Sequence, residues 1–550
     1  MPSVSAHVAL TLAQHIDAVF GVMGNGNAYF LDALERETTA EFTAVRHEQG
    51  AVVAADAHYR ASGRIAAGTA TYGAGFTNTL TALAESVQAR VPLVLVVGDG
   101  PTSGPRPWDV DQIALASAVG ARTYTVGHAD AAATTVIAIE HALTYRVPVV
   151  LAIPYDVASR EAGPVPDVPS PRVPSAPEPE GAFAEGMLDE IAAALRDAKR
   201  PFLLAGRGAW LSGAGEALGA LADATGALTA STALGRGVFP AAEFDLGVTG
   251  GFGADGAMSL VHDADVVVVF GAALNQFTMR FGELFAPGTR VFQVDVAPAA
   301  THAHVGGFVR GDARVVAEAL VGRLSRTSFA GVSWRETVDA AAERAYDAGD
   351  DLAPDGRIDP RSAARRIAEL LPEDRIVVSD GGHFIGWANM YWPVAAPDRM
   401  MMVGTAFQAI GQGWPSVVGA ARARPESTIV LTTGDGGGLM AIADLESAVR
   451  AAGGRGCAVV WNDAAYGAEV HLYGLKGLAE EPMLIPEVDF AAFAAAVGAE
   501  GVAVRTLGDL DRLASWAAQP VAERPFLLLD LRISPTVIAP YQQEVIRVNS

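Results

Sequence analysis

The sequence IVLTTGDGGG (residues 429–438), followed by a helix-like run at 439–452 and then by CAVVWNDAAYG (457–467), decides the fold of this chain. The apolar runs are typical of buried parallel strands, and the run between them predicts a crossover helix. Because parallel strands end at the same edge of a sheet, we expect Asp435 and Asp463 to lie side by side. Open α/β sheets bind their ligands at that edge.

The residue types at this edge predict a phosphate and metal site. Glycines allow backbone N–H groups and a helix N-terminus to approach a phosphate. Asp435 and Asp463 would supply the hard oxygen ligands that Mg²⁺ or Ca²⁺ prefers. The Gly-Asp-Gly run alone fits equally well an ordinary strand-turn-helix whose glycines ease a tight turn. The second acidic strand end favours a metal-bridged di- or triphosphate.

Gly-Asp-Gly followed later by an Asn-Asp pair resembles the thiamine diphosphate motif. The whole chain resembles the acetolactate synthase, pyruvate decarboxylase and benzaldehyde lyase superfamily. The resemblance implies thiamine diphosphate and Mg²⁺ as cofactors, with the metal held by Asp435, Asp463 and the backbone carbonyl of Ala465. Because the family usually has Asn where Asp463 stands, and the loop at 452–456 leaves the register open, Asn462 is the alternative ligand.

The resemblance also implies the remaining contacts to the diphosphate. A second strand-to-turn, IVVSDGGHF (376–384), presents backbone amides suited to a terminal phosphate. His383 fits equally a satisfied turn residue. The predicted diphosphate contacts are Gly382, His383, Phe384, Gly434, Asp435, Gly436, Gly437, Asp463, Tyr466 and Gly467.

A second cluster of motifs is expected at the ring end of the cofactor. Glu48, in RHEQGA (46–51), fits a helix cap, because the helix dipole favours a carboxylate there. The resemblance instead implies an activating glutamate that hydrogen-bonds the aminopyrimidine ring, which requires an apolar pocket that raises its pKa. The turn TYGAGFTN (71–78) resembles that of benzaldehyde lyase and adds Gly73 and Asn78 as cofactor contacts.

The segment GTAFQAIGQG (404–413) resembles the one that grips the aminopyrimidine through backbone groups. The resemblance makes Gln408 a cofactor contact and Ile410 the wedge that bends the cofactor between its two rings. Taken alone, an isoleucine in a Gly-rich helix start fits the protein core.

Four further residues are candidate catalytic groups beside Glu48. Asn25 stands where pyruvate-type decarboxylases carry Asp, so a neutral amide replaces an acid. Glu469 falls where those enzymes handle protons, although a solvated helix residue is the simpler interpretation. His471 and Gln112 complete the set. The predicted substrate pocket is lined by Asn25, Tyr72, Phe76, Trp108, Gln408, Glu469 and Tyr473.

The predicted fold class is α/β, with three doubly wound parallel-sheet domains. We expect a pyrimidine-binding domain at 1–165, a Rossmann-like middle domain at 182–330 and a diphosphate-binding domain at 356–550. The stretch 159–181 holds seven prolines and predicts an extended linker, and 333–355 predicts a polar helical connector. FAD in the middle domain is the weaker alternative, because Asp295 at a strand end is more often a turn former than a ribose ligand.

Composition excludes several classes of partner. The 550 residues carry a formal charge of −23, which argues against nucleic acid and anionic membranes. Cys457 is the only cysteine, so no internal disulfide forms and a cytoplasmic location is expected. No leader or membrane-spanning run is evident. The resemblance implies a homodimer at least, extended to a homotetramer, because Glu48 of one subunit meets the diphosphate site of another.

The resemblance implies an enzyme that decarboxylates a small 2-oxo acid and then either releases an aldehyde or joins the retained fragment to a second carbonyl. Glu469 favours the first outcome, and Asn25 favours carboligation or C–C lysis. An acetolactate synthase-like transferase, a benzaldehyde lyase-like 2-hydroxy ketone lyase, an oxidoreductase with a flavin or nicotinamide, and an inactive cofactor-binding homologue remain as alternatives.

Overall fold

The computed structural model describes residues 1–324 and 333–549. Those residues form three six-stranded sheets in which every strand pair is parallel. Helices connect the strands and cover the sheets. The predicted α/β class with three parallel sheets is confirmed.

The first sheet has the strand order β2-β1-β3-β4-β6-β5. Its strands are β1 (Ala18–Gly21), β2 (Glu41–Ala44), β3 (Ala67–Ala70), β4 (Leu93–Asp99), β5 (Arg122–Thr125) and β6 (Pro148–Pro154). Its helices are α1 (Val4–Leu12), α2 (Ala28–Glu37), α3 (Glu48–Ser62), α4 (Ala74–Thr77), α5 (Leu80–Gln88), α6 (Gln112–Ala118) and α7 (Ala131–Tyr145).

The second sheet has the order β12-β11-β10-β7-β8-β9. Its strands are β7 (Pro201–Ala205), β8 (Leu228–Ser231), β9 (Asp245–Val248), β10 (Val266–Phe270), β11 (Arg290–Asp295) and β12 (Val305–Arg310). Its helices are α8 (Gly181–Asp197), α9 (Arg207–Leu211), α10 (Gly215–Thr225), α11 (Asp255–Asp263) and α12 (Ala313–Leu324). A short helix, α13 (Ala340–Glu343), follows on the way to the third sheet.

The third sheet has the order β14-β13-β15-β16-β18-β17. Its strands are β13 (Arg375–Ser379), β14 (Met400–Met402), β15 (Thr428–Gly434), β16 (Gly456–Asn462), β17 (Glu500–Val504) and β18 (Leu527–Arg532). Its helices are α14 (Pro360–Leu370), α15 (Ile385–Tyr391), α16 (Gly413–Ala423), α17 (Asp435–Met440), α18 (Leu445–Ala452), α19 (Gly467–Glu469), α20 (Phe490–Ala496), α21 (Asp511–Ala517) and α22 (Pro540–Asn549).

Strands β10, β15 and β16 are buried along their whole length and β4 is buried up to Gly98, which is why they appear in the sequence as apolar runs. The first and third sheets share one apolar core, which includes Phe20, Leu95, Leu431 and Trp414. Within it α3 packs closely on α16. The approach depends on small residues, because a Cβ on Gly419 would overlap the Ala54 carbonyl group.

Two predicted helices differ from the structure. The run at 439–452 is interrupted by a 3-10 turn, Ile442–Asp444, so α17 and α18 are separate. Asp444 causes the break, because its carboxylate accepts hydrogen bonds from the Ser447 hydroxyl and from the backbone amide of Arg46. The predicted helical connector at 333–355 is wrong over most of its length. It contains only a 3-10 turn at Trp334–Thr337 and α13, because Gly349 has a φ of +67° and Pro354 follows closely.

The proline-rich stretch at 164–180 has no regular secondary structure, in agreement with the predicted linker. The domain limits at 165, 182 and 356 remain predictions, and the predicted end at 330 lies outside the described residues. None of the helices in the described ranges is both long enough and apolar enough to span a bilayer.

Candidate functional site

Two buried aspartates lie together at the carboxyl edge of the third sheet. Asp435 follows β15 and Asp463 follows β16, and these strands are paired with Gly434 opposite Trp461. The exposed fractions of the two aspartates are only 3% and 4%. One carboxylate oxygen of each, Oδ2, has no hydrogen-bond partner among the described residues. The structure therefore brings together the two acids that the sequence analysis paired.

The electrostatics of this pair favour a bound cation. Burial raises the pKa of Asp435 to about 6, although backbone amides, first that of Gly436, oppose the shift. Burial and the nearby charge of Asp435 raise the pKa of Asp463 well above its usual value. Two carboxylates that share a dry site repel each other unless a proton or a cation lies between them. Their unpartnered oxygens fit a hard divalent cation such as Mg²⁺.

The two other predicted metal ligands flank this pair. Ala465 follows Ala464, which has a φ of +62°, and its backbone bridges to Leu484 in an antiparallel contact. The Asn462 side chain donates from Nδ2 to Asp530 Oδ1 at 2.9 Å and to the Val488 carbonyl oxygen at 3.1 Å. These bonds occupy the Nδ2 group of Asn462, whereas its Oδ1, like Asp463 Oδ2, is buried without a hydrogen-bond partner among the described residues.

His383 forms the wall of the site beside Asp463. Its Nδ1 lies 3.6 Å from Asp463 Oδ2. Burial and the neighbouring His471 lower the pKa of His383 to about 3, so its ring is neutral at pH 7 and can donate one N–H. A Cβ on Gly467 would overlap the His383 ring and lie 2.7 Å from Asp463 Oδ2. Only glycine lets the chain pass between these two side chains.

His471 is packed edge-on against His383, with ring centroids 5.2 Å apart. Its Nε2 lies 2.8 Å from the Pro535 carbonyl oxygen, so Nε2 carries the proton of the neutral ring and Nδ1 is an acceptor. Nδ1 is buried without a partner in the described part of the chain. The ring borders a largely apolar cavity of about 270 Å³, lined by Asp463, Ala464, Ala465, Gly467, Val470, His471, Leu484, Ile485 and Pro535.

Other predicted diphosphate contacts surround the pair. Gly434, Gly436 and Gly437 are buried at the turn from β15 into α17. Tyr466 is anchored by its backbone N–H, which donates to the Met483 carbonyl at 2.8 Å. Phe384 is a core residue, because its ring belongs to the apolar cluster behind β13 and β15. The Tyr541 hydroxyl holds the 382–384 turn by donating to the His383 carbonyl at 2.8 Å and, more weakly, to that of Gly382 at 3.4 Å.

Asp380 organises the site, although the sequence analysis did not select it. It is 1% exposed. Its Oδ1 accepts from the backbone amides of Gly411 at 3.0 Å and Gln412 at 3.1 Å, and its Oδ2 accepts from the Thr433 hydroxyl at 3.1 Å. Asp380 thus ties the end of β13 to β15 and to the segment at 404–412. The only sequence signal was its position at the end of an apolar strand.

Gln408 and Ile410 lie on that segment. Gln408 has a φ of +63°, a conformation uncommon for residues other than glycine, and its side chain is exposed. Ile410 is half-buried. Between them, the backbone N–H of Ala409 donates to the Gly404 carbonyl at 2.8 Å, which closes a tight turn.

Glu48 is the first residue of α3, on the first sheet. Its Oε2 accepts a hydrogen bond from Asn78 Nδ2 at 3.0 Å, and the side chain is half-buried. The start of α3 is fixed from the third-sheet side, because Asp444 Oδ1 accepts from the backbone N–H of Arg46 at 2.7 Å. The structure therefore brings Glu48 and Asn78 into contact, and Asp444 is a further supporting residue that the sequence analysis missed.

Asn25 and Gln112 support the turns around Glu48. Asn25 Nδ2 donates to the Tyr72 hydroxyl at 2.9 Å, and the Arg106 guanidinium lies 4.1 Å from the Tyr72 ring centroid. Gln112 is buried. Its Oε1 accepts from the backbone N–H of Gly73 at 2.8 Å, and its Nε2 donates to the Gly98 carbonyl at 2.9 Å. The Gln112 amide thus ties the Gly73 turn to strand β4.

Glu469 and Tyr473 are exposed on and after α19. The carboxylate of Glu469 makes no hydrogen bond or ion pair with the described residues, as expected for a solvated helix residue in a single chain. The charge of Glu469 nevertheless contributes, after burial, to raising the pKa of the Tyr541 hydroxyl, so the two side chains are near each other.

Asp295, the predicted alternative nucleotide ligand, forms a turn. Its Oδ1 accepts from the backbone N–H of Ala297 at 2.9 Å. The ends of β7 and β10 are joined nearby by backbone hydrogen bonds, from Gly206 to Phe270 at 2.9 Å and from Gly208 to Gly271 at 2.8 Å. These contacts occupy the strand ends at which a dinucleotide-binding sheet receives its pyrophosphate.

Comparison with known proteins assigns each sheet to a recognised domain type. Residues 2–115 match the thiamine pyrophosphate enzyme N-terminal TPP binding domain, 188–320 match its central domain, and 380–530 match its C-terminal TPP binding domain. The acetolactate synthase large subunit of Lactococcus lactis is 27% identical over 435 residues, covering 77% of this chain and 74% of that protein.

Two further relatives extend the comparison. The acetolactate synthase isozyme 3 large subunit of Escherichia coli is 27% identical over 454 residues, covering 80% of this chain and 78% of that protein. The sulfoacetaldehyde acetyltransferase of Castellaniella defragrans is 29% identical over 547 residues, covering 92% of this chain and 88% of that protein.

Proposed function

Because the chain belongs to the thiamine pyrophosphate enzymes, we propose that it binds thiamine diphosphate with Mg²⁺ and cleaves or forms a carbon–carbon bond next to a carbonyl group. The observation that carries the proposal is the buried pair of Asp435 and Asp463, each with one unpartnered carboxylate oxygen. A pair of this kind fits a divalent cation that bridges to a diphosphate.

Different residues would bind the metal ion and the diphosphate of the cofactor. Asp435, Asp463 and the Ala465 carbonyl would hold Mg²⁺, and Asn462, whose Oδ1 is also buried without a partner among the described residues, is the alternative to Asp463. The neutral His383 and the backbone amide of Gly437 would donate to the diphosphate, whereas the Gly436 amide donates to Asp435 Oδ1 at 3.0 Å. When bound, thiamine diphosphate supplies a carbon nucleophile and an electron sink for the reacting bond.

Glu48 is the proposed proton-transfer residue at the ring end. Its carboxyl group would bind a ring nitrogen of the aminopyrimidine, and Asn78 orients the carboxyl group through the 3.0 Å hydrogen bond to Oε2. Ile410, presented by the turn after Gln408, would set the bend of the cofactor. Gln112 fixes the Gly73 turn next to this position and acts as a positioning residue.

The proposed substrate is a small 2-oxo acid that loses carbon dioxide. Glu469 is placed by sequence register to return a proton to the retained fragment, which would yield an aldehyde. Asn25, a neutral hydrogen-bond donor, would orient a carbonyl oxygen without protonating it. The cavity beside His471 would exclude water with its apolar walls.

The direct test measures carbon dioxide release from a panel of 2-oxo acids by purified protein with thiamine diphosphate and Mg²⁺. We expect turnover with at least one member of the panel and its loss in Glu48→Gln. Calorimetry that detects no uptake of thiamine diphosphate in the presence of Mg²⁺ would contradict the proposal.

A second candidate is transfer of a two-carbon acyl or hydroxyalkyl unit to another acceptor, as in an acetolactate synthase-like transferase. Two observations support it: relatives named acetyltransferase cover 92% and 98% of this chain, and Asn25 replaces the acid of pyruvate-type decarboxylases. Product analysis separates the two candidates. Free aldehyde supports simple decarboxylation, whereas an acetohydroxy acid formed with a second carbonyl compound supports transfer.

We also propose that the active unit is a homodimer or a homotetramer. Glu48 is only half-buried, and large apolar side chains near the predicted substrate side are exposed, among them Trp108 at 63% and Phe407 at 48%. A second subunit that covered this face would give Glu48 the apolar surroundings that its role requires. Sedimentation velocity tests this, and an active monomer would contradict it.

A further inference from the structure

A buried cluster of charged residues lies behind the cofactor-binding face of the first sheet. Arg60 on α3 donates from Nε to Asp56 Oδ1 at 2.5 Å and from Nη2 to Glu85 Oε1 at 3.0 Å. The Ser86 hydroxyl donates to Asp56 Oδ2 at 2.8 Å. Exposed fractions are 0% for Asp56, 5% for Arg60 and 0% for Glu85. We refer to Asp56, Arg60, Glu85 and Ser86 as the Arg60 cluster.

Burying such a cluster of charged side chains is energetically unfavourable. Removing charges from water costs several kcal/mol per ion, and apolar residues of the same size often stabilise a fold equally well. The cluster also has two carboxylates for one guanidinium. Arg207, at the start of α9, borders the same small cavity as Arg60 and brings a second positive charge from the second sheet. A role beyond packing would explain why these charges are placed here.

The cluster reaches from the first sheet to the third-sheet segment that precedes Gln408. Arg60 Nη1 donates to the Met402 carbonyl at 2.9 Å. Glu85 Oε2, the oxygen not bound to Arg60, accepts from the backbone N–H of Phe407 at 2.7 Å. The two bonds clamp both ends of residues 402–407. A hydrogen bond from a backbone amide to a buried carboxylate is about twice as strong as a neutral one.

The clamped segment leads directly into the uncommon backbone at Gln408. Its φ of +63° is held from one side by the Glu85 bond at Phe407 and from the other by Asp380, which accepts from Gly411 and Gln412. Ile410 lies between these two anchors. Asp380 belongs to the third sheet, whereas Glu85 belongs to the first, so the turn is fixed only when both sheets are in place.

We propose that Glu85, oriented by Arg60, is a positioning residue that presets the turn at 404–410 for the ring end of the cofactor. The inference rests on the proposed function, since it concerns the binding of thiamine diphosphate. Without the Glu85 bond, the turn would have to be ordered when the cofactor binds, and affinity would fall by the cost of that ordering.

The first test uses the protein without cofactor and compares Glu85→Gln with Ser86→Ala. Glu85→Gln keeps the size of the side chain but removes the charge. Its single amide oxygen can accept from Arg60 or from Phe407 but not from both, so the charge-assisted bond to Phe407 is either lost or replaced by a weaker neutral one. Ser86→Ala removes a hydrogen bond of the same cluster that does not touch the turn. Hydrogen exchange should become at least about tenfold faster in peptides covering 404–410 for Glu85→Gln and stay unchanged there for Ser86→Ala.

The second test is calorimetric titration of the same variants with thiamine diphosphate and Mg²⁺. We expect the Kd of Glu85→Gln to rise about tenfold and that of Ser86→Ala to stay within about twofold of wild type. A melting temperature that falls equally in both variants does not affect this reading, because the comparison is made on Kd and on local exchange. Equal Kd changes, or unchanged exchange at 404–410, would overturn the inference.

Failure of the proposed function gives a different pattern. If wild type takes up no thiamine diphosphate, the proposed function and the role of Glu85 in cofactor affinity both fall, whereas wild-type binding with an unaltered Glu85→Gln variant refutes the inference alone. If Glu85→Gln does not fold, Glu85→Asp is used in its place. The shorter side chain keeps the charge but cannot reach both Arg60 and Phe407, so the same loss of protection and affinity is expected.

Discussion

The two ends of the proposed cofactor site differ in how complete they are within one chain. At the diphosphate end, Asp435, Asp463 and His383 are 3%, 4% and 6% exposed. At the ring end, Glu48 is half-buried and Gln408 is exposed. The first end is built by the loops of a single sheet, whereas the second is an open face. The difference in burial supports the proposal that a second subunit completes the ring end.

The largest expected effect comes from a substitution at the ring end that leaves the diphosphate end unchanged. Glu48→Gln should lower kcat by about 10³-fold, since general acid–base groups contribute 10² to 10⁴, while the Kd for thiamine diphosphate changes less than about threefold. Steady-state kinetics and calorimetry on one preparation measure both. Glu37→Gln, at the exposed end of α2, is the control and should match wild type. A large loss of affinity with an unchanged kcat would reverse the assignment of the two ends.

The converse substitution tests the closed end. Asp435→Asn removes one charge from the metal pair and should raise the Kd for thiamine diphosphate in Mg²⁺ by about 100-fold, or about 2.7 kcal/mol. The effect should shrink when Mg²⁺ is omitted for both proteins, because the lost interaction passes through the metal. If affinity is unaffected, Asp435 is a turn former only.

A smaller effect is expected on the pH dependence of the free energy of unfolding of the cofactor-free protein. Burial raises the pKa of Asp435 to about 6, above its unfolded value, so the stability that it contributes is present at low pH and is lost as pH rises through about 6. Asp435→Asn should therefore gain stability relative to wild type by about 1 kcal/mol between pH 5 and pH 7.

Urea denaturation of both proteins at the two pH values measures this difference. His383 has the opposite effect: its pKa is lowered to about 3, so its contribution to the free energy of unfolding falls as pH falls. Because His383 is present in both proteins, its contribution cancels in the comparison. A difference of the opposite sign would show that burial does not destabilise the charged form of Asp435.

A comparably small effect is expected from a change beside Glu48 at the ring end. Asn78→Ala removes the 3.0 Å hydrogen bond to Glu48 Oε2 and should lower kcat/KM about tenfold, since a bond to a charged group is worth about 1.5 kcal/mol or more. Thr77→Ala is the neighbouring control, because its hydroxyl bonds only the Ala74 carbonyl. Equal losses in both variants would indicate damage to α4 rather than to the orientation of Glu48.

The sequence predicted the closed end better than the open one. Gly-Asp-Gly and Asn-Asp each mark a strand end, so adjacency of Asp435 and Asp463 followed from the rule that parallel strands end at one edge. Asp380, Asp444 and Glu85 were missed because each contacts a backbone amide distant in the chain, and a lone acid carries no sign of that partner. Their contacts depend on how the sheets pack, which periodicity does not encode.

The roles of individual side chains are harder to predict than the positions of the turns that carry them. Gln112, predicted to be catalytic, binds backbone groups with both halves of its amide. Phe384, predicted to contact the cofactor, has its ring in the apolar core. Both roles remain predictions. The direction of a side chain depends on local φ and rotamer choices that a motif does not fix.

The apolar core that joins the first and third sheets determines how the chain can be divided. Because one interior serves both sheets, heat should melt them in a single calorimetric transition, whereas the second sheet has two apolar clusters of its own. A fragment that contained only the first or only the third sheet would expose its half of this shared apolar core to solvent. Replacing the second sheet and its helices by a similar domain would leave the core shared by the first and third sheets unchanged, so we expect this part of the chain to tolerate sequence change best.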